Sequence, residues 1–193
     1  MNWILSVLTL SLLSYSQLEL ASPLTFATEA TYPPFESMNS HGHIVGFDAD
    51  LVHALCKTMH QPCQLVNTPF ASLIPSLNIG QYDAIIGGLA ITPSREKVIA
   101  FSQSYYQDQV VFVSSHTLNL NHLHSLTVGV QMGTAYQAFL QQFYQNTPLK
   151  LYNSNLTALM DLKAGRVGAV LIDQPVYAAW LKQQSSPPPL ITT

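Results

Sequence analysis

The sequence predicts an α/β fold of two lobes, each built on a mostly parallel sheet. Two successive β-α-β-α-β rounds lead to that expectation, one beginning at Leu24 and the other after Tyr106. The loops richest in chemistry-bearing residues (29–35, 87–95, 133–134 and Asp173) all follow predicted strands, which is where ligands collect in such sheets. With 193 residues, 48% of them hydrophobic, the chain has ample material to fill a core or two small ones.

The elements follow in order. Residues 24–28 read as a strand ending at a proline-rich turn, Thr31-Tyr32-Pro33-Pro34-Phe35. Residues 46–60 read as an amphipathic helix with Phe47, Leu51, Val52, Leu55 and Met59 on one stripe. Asp48 and Asp50 fall in its first turn, where the helix dipole favours acids. A strand at 64–66, a short helix at 72–79 and a strand at 83–86 complete the first round. In the second, the β-branched run 110–113 reads as a segment crossing between lobes. A strand at 126–130 leads through Gly133-Thr134 into a helix at 135–144, and a strand at 150–152 into a helix at 155–164. A strand at 168–172 and a helix at 174–182 follow, and Ser185-Ser186-Pro187-Pro188-Pro189 breaks regular structure.

Composition narrows the function classes. Charged residues make up only 9%, the net charge is −3 and no basic run exists, so no nucleic-acid surface is expected. Residues 1–22 form an apolar segment of the length and position of a secretory signal; an uncleaved anchor or a buried first helix are the other readings. The expected organisation is a signal at 1–22, a first lobe at 23–108 and a second at 109–193. Cys56 and Cys63, the only cysteines, favour one disulfide in an exported chain, while His53 and His60 nearby leave a metal reading open. His41-Gly-His43 and His122-Leu-His124 lack partners at helical ligand spacing, so no metal and no cofactor is expected.

The segment 82–106 carries the most information. A buried-type strand runs into Gly87-Gly88, then a Thr-Pro turn, then Arg95, one of two arginines in the chain. Glycines admit close backbone approach, and a planar guanidinium suits a carboxylate. An α-amino acid withdrawn from water needs such a fork for its carboxylate and an acid plus carbonyls for its ammonium. Thr134, at a helix N-terminus, offers N–H groups and a hydroxyl to the former; Asp173 and the carbonyls near Gly88 suit the latter. Tyr32 and Phe70 offer aromatic walls, and Glu29 offers a carboxylate to a distal cation. The plainer readings are an Arg95–Glu96 surface pair, helix caps at Thr134 and Asp173, core packing for the aromatics and a solvated loop acid at Glu29.

At these residues the chain resembles the periplasmic binding proteins for polar amino acids that serve ABC importers, above all the arginine and lysine/arginine/ornithine/histidine members. The stretches that carry the resemblance are ATYPPFES (30–37), IVGFDADLVHALC (44–56), FASLIPSL (70–77), YDAIIGGLAITPSRE (82–96), FSQSYY (101–106) and LKAGRVGAVLID (162–173). It extends from about residue 24 to residue 181 and implies the bilobal type II fold of that family. It implies that Arg95 grips the ligand carboxylate with help from Thr134, that Asp173 holds the α-ammonium, that Tyr32 and Phe70 sandwich the side chain, and that Glu29 meets its distal charge. It also implies a Cys56–Cys63 disulfide.

Two departures stand out. Ala90 occupies a position where the relatives carry a polar residue at the ammonium, and Gly87 and Gly88 replace serines, which leaves the ammonium to backbone carbonyls there. The chain also ends soon after Leu181, where the resemblance implies a return of the backbone to the first lobe, so the last part of that lobe is expected to be missing. The function expected is capture of a basic amino acid by a monomeric, exported, non-enzymatic receptor that delivers it to a membrane permease. A dehydratase-like enzyme on the same fold, or an impaired truncated remnant, are the alternatives.

Overall fold

The computed structural model describes residues 22–185 and 191–192. The expected signal segment, apart from Ser22, and the break at 186–189 lie outside the described residues. Among those described, no helix is long and apolar enough to cross a membrane.

The first lobe is organised around β1 (Leu24–Thr28), flanked by β5 (Cys63–Asn67) and β6 (Ala84–Ile85), both parallel to it. Parallel neighbours need long crossovers. These are α1 (Phe47–Met59) and a 3-10 turn (Phe70–Ser72) running into α2 (Leu73–Asn78). The Pro33–Pro34 peptide is cis, and around it the proline-rich turn opens into a small antiparallel sheet that the sequence reading missed. Its strands are β2 (Thr31–Tyr32), β3 (Glu36–Met38) and β4 (Ile44–Val45). They are two or three residues long, too short to register as periodicity.

The helix at 47–59 forms where expected, but its buried stripe is different. Asp48, Ala49, Val52 and Cys56 face inward, whereas Phe47, Leu55 and Met59 are exposed. Val52 and Cys56 pack with Ile86, just past β6, and half-buried Leu51 joins them. Phe47 instead joins an aromatic group with Phe35, Tyr105 and Tyr106. The Cys56–Cys63 disulfide, with Cα atoms 6.1 Å apart, ties the end of α1 to the start of β5. Between them His60 takes the left-handed conformation that turns the chain.

After α3 (Pro93–Glu96), residues 101–109 cross without regular structure into the second lobe. Its sheet has the order β11-β7-β10-β8-β9, from β7 (Val110–Ser114), β8 (Val128–Gln131), β9 (Leu149–Tyr152), β10 (Ala169–Asp173) and β11 (Ile191–Thr192). The β9, β8 and β10 strands are mutually parallel, while β7 is antiparallel to both β10 and β11. The run expected to cross between lobes is therefore an integral strand, and half the pairings of this sheet are antiparallel. All five residues of β10 are buried, as befits a strand with neighbours on both edges and helices on its faces. The helices are α4 (Ala135–Phe143), α5 (Asn155–Lys163) and α6 (Gln174–Lys182). Thr134 and Ser154 cap α4 and α5 through their hydroxyls. One core joins Val113, Leu159, Val170, Ile172, Val176 and Trp180, and a second joins Phe112, Leu123, Val130, Leu140 and Leu171.

Candidate functional site

A cavity of about 430 Å³ lies between the strand-end loops of the first lobe, the crossing segment and the second lobe. Its walls are aromatic and backbone surfaces, with Tyr32, Phe35, Tyr105, Tyr106 and Tyr136 among them. Among the described residues, the only charged ones lining it are Asp108 and Asp173.

Asp173 ends β10 and stands at the N-cap position of α6, with Pro175 in the first turn, yet its side chain makes no capping bond. The Tyr136 hydroxyl of α4 donates to its Oδ1, and the Tyr32 phenol stands close enough to influence it. Burial pushes the Asp173 carboxyl above its ordinary value, and these hydroxyls pull it partway back. Burial and the nearby acid also drive both phenols well above the usual tyrosine range, so each remains a donor at neutral pH.

Gly88 bends with a positive φ of 57°, and a Cβ there would sit 2.9 Å from the Tyr32 ring. The glycine lets the loop lie against that ring, which in turn stacks on Phe35 at 5.4 Å. Ala90 and Gly88 both line the cavity. The Ala90 carbonyl faces Arg95, whose Nη1 donates to it at 2.7 Å.

Arg95 is held by the short helix α3, where the Thr92 hydroxyl accepts from its N–H at 3.3 Å. Its Nη2 reaches across to the Gly133 carbonyl of the second lobe at 3.0 Å, and its guanidinium lies 5.8 Å from the Phe70 ring centroid. Glu96 plays no part in this arrangement, so the plain surface-pair reading does not describe it. Arg166, the other arginine, is engaged by Asp161 on the outer surface. Thr134 caps α4: its hydroxyl accepts from Gln137 N–H at 3.2 Å and donates to the Gln131 carbonyl at 2.8 Å.

Glu29 is buried rather than solvated. It accepts from the Thr31 hydroxyl and, at 3.2 Å, from Nε2 of Gln131 across the lobes. Gln131 in turn accepts from Asn155 at 3.0 Å, so a buried polar chain joins the lobes. Burial raises the Glu29 carboxyl, and its two donors oppose that shift. The structure thus gathers Tyr32, Gly88, Ala90 and Asp173 around the cavity. It sets Arg95, Phe70 and Thr134 at the neighbouring lobe contact, and Glu29 behind both. Phe70 lies beneath the Arg95 guanidinium, and Tyr32 stacks on Phe35.

Sequence reasoning missed Asp108, Tyr136, Gln131 and a buried carboxyl pair, Glu36 and Asp48. Asp48 passed for a helix-dipole acid because its position in the first turn explains it equally well. In fact it is 1% exposed, accepts from the Tyr105 hydroxyl at 2.9 Å, and faces Glu36, also 1% exposed. Burial, reinforced by Asp48, pushes the Glu36 carboxyl up to about 10. A proton on Glu36 gives this pair the donor that Glu36 Oε2 and Asp48 Oδ1 otherwise lack. Gly87, with a φ of 147°, leaves room for Glu36; a Cβ there would stand 2.8 Å from its Oε1.

Two lobes of α/β structure meeting at a strand-end cavity define a binding protein of the bilobal type. The family model of bacterial extracellular solute-binding proteins, family 3, matches residues 24–173, and the chain belongs to that family. It is similar to a putative ABC transporter arginine-binding protein 2 of Escherichia coli (strain K12), 41% identical over 164 residues covering 84% of this chain and 68% of the relative. A histidine-binding periplasmic protein of the same organism is 34% identical, over 83% of this chain and 64% of its own length. Among solved structures, a Salmonella typhimurium periplasmic binding protein described for high arginine specificity superposes with a TM-score of 0.81 at 37% identity. That superposition covers 89% of this chain and 76% of the other. An ancestral amino acid-binding protein described as a precursor of cyclohexadienyl dehydratase gives 0.80 at 27% identity, covering 89% and 76%.

Proposed function

We propose that this chain is an extracytoplasmic receptor for a basic amino acid, arginine in first place, which it delivers to the permease of an ABC importer without altering it chemically. The observation that carries this reading is the charge of the cavity: two acids and no base line it, and the guanidinium of Arg95 stands at its margin. A zwitterion carrying an extra cation matches that layout. Asp173, held by the Tyr136 phenol with Tyr32 nearby, takes the α-ammonium, with the carbonyls of Gly88 and Ala90 beside it. Arg95 has five N–H donors and spends two on carbonyls, which leaves donors for the ligand carboxylate, with Thr134 assisting. Tyr32 and Phe70 supply aromatic faces, and Glu29, held by the Gln131 amide, is the acid assigned to the distal cation, which would replace that amide. The names of the relatives, arginine- and histidine-binding, support the ligand class, and the periplasmic placement of one of them supports export.

Calorimetry with arginine, lysine, ornithine, histidine, glutamine and glutamate tests the reading. Saturable one-site binding is expected for the basic members, strongest for arginine, with glutamate giving none. No heat from any of them with folded protein contradicts it.

A further inference from the structure

We propose that Asp108 is a second carboxylate for the ligand ammonium, that in mildly acidic solution it and Asp173 share one proton before a ligand enters, and that the cationic ligand displaces that proton. The proposal rests on the receptor reading above and adds to it a residue and a linked proton.

The sheet itself sets the juxtaposition. The β10 and β7 strands are antiparallel with Asp173 opposite Val110, and the Gln174 N–H donates to the Gln109 carbonyl at 2.8 Å. The residue just before that bond is therefore laid beside the end of β10. Asp108 Oδ1 accepts from the N–H of Gln109 at 2.5 Å, which fixes the carboxyl in place. Its side chain and that of Asp173 line the same cavity, close enough for each charge to act on the other.

The groups facing the pair are Tyr32 from β2 and Tyr136 from α4, both neutral donors. Among the described residues no Lys, Arg or His lines this cavity, and Arg95 at its margin is turned to the Ala90 and Gly133 carbonyls rather than to the two acids. Two adjacent carboxyls in such a place hold a proton between them. Consistent with that, burial, with the charge of Asp173 adding to it, pushes the Asp108 carboxyl up to about 6. When an ammonium enters, one carboxyl O–H bond breaks, the proton leaves to solvent, and both carboxylates face the cation. Charge is conserved, since a neutralising proton is exchanged for a neutralising ammonium. The sign follows: ligand binding favours the deprotonated pair, so affinity falls as pH drops below about 6, by up to roughly tenfold per pH unit.

The test is calorimetric titration of arginine near pH 5.5 and pH 7.5, in buffers of different ionisation heat, on the natural chain and on Asp108→Asn. The natural chain is expected to release a fraction of a proton at the lower pH and to lose about tenfold in affinity per unit below about pH 6. Asp108→Asn is expected to bind about tenfold more weakly at the higher pH, with a flattened pH dependence and less proton release. Proton release from the natural chain needs no variant: arginine binding with no proton released at the lower pH overturns the proposal. So does an Asp108→Asn chain that matches the natural one in affinity and in pH slope. Failure to bind arginine at either pH overturns the receptor reading itself, and this proposal with it.

Discussion

Buried acids dominate this molecule at the scale of single residues, and each has a different solution to the cost of burial. Asp173 takes the Tyr136 hydroxyl, Glu29 takes an amide from the other lobe, and Glu36 keeps its proton against Asp48. Glu36 has a folded-state value raised far above that of an exposed glutamate. Its contribution is therefore fully present below about pH 4.5 and is lost progressively as pH rises toward about 10. Stability measured by urea unfolding is expected to decline from pH 5 to pH 9, by an amount on the order of 1 kcal/mol per unit at most. Glu36→Gln, which keeps the donor without the titration, is expected to flatten that slope. An unchanged slope in the variant would show that the pair is ionised throughout. None of this was legible in the sequence, because a carboxylate in the first turn of a helix already has an adequate explanation there. Arg95 and Asp173 were legible as candidates, because each follows a strand end in a chain poor in charge.

At the scale of elements, strand and helix positions followed from hydrophobic pattern and turn residues, with α6 and β1 found to the residue. The inward face of α1 did not follow. The expected stripe rested on large apolar residues, but the helix buries small ones and an acid, because its neighbour is a sheet at close range and an aromatic cluster takes Phe47. Paired substitutions separate the two faces. Val52→Ala, at 1% exposure, is expected to cost about 1–3 kcal/mol by thermal unfolding. Leu55→Ser, at 44% exposure, is expected to stay within about 0.5 kcal/mol. The reverse order would place the core on the other face. The antiparallel role of β7 was also hidden, since a four-residue apolar run looks the same in either direction.

For the whole molecule, the function depends on how the lobes meet. Arg95 bonds the Gly133 carbonyl, Glu29 bonds Gln131, and Gly133 itself lies against Ala71. These contacts join residues as far apart as 102 positions, and no local pattern announces them. The bilobal fold was legible because it repeats a simple unit; the meeting of its halves was not, because it depends on tertiary placement alone. Gly133 has a φ of 80°, and a Cβ on it would stand 2.9 Å from the Ala71 Cα. Gly133→Ala is therefore expected to hold the lobes apart and to weaken arginine binding by about tenfold or more, read by calorimetry. Undiminished affinity would show that the lobes need not approach so closely.

The central claim is that Asp173 and Arg95 clasp the α-ammonium and the α-carboxylate of one basic amino acid between the lobes. A crystal structure of the chain grown with arginine tests it most directly. The account predicts the α-ammonium at hydrogen-bonding distance, about 2.7–3.2 Å, from Asp173, with the carboxylate on the Arg95 guanidinium. Arginine bound in the reverse sense, or outside the cavity between the lobes, would contradict it.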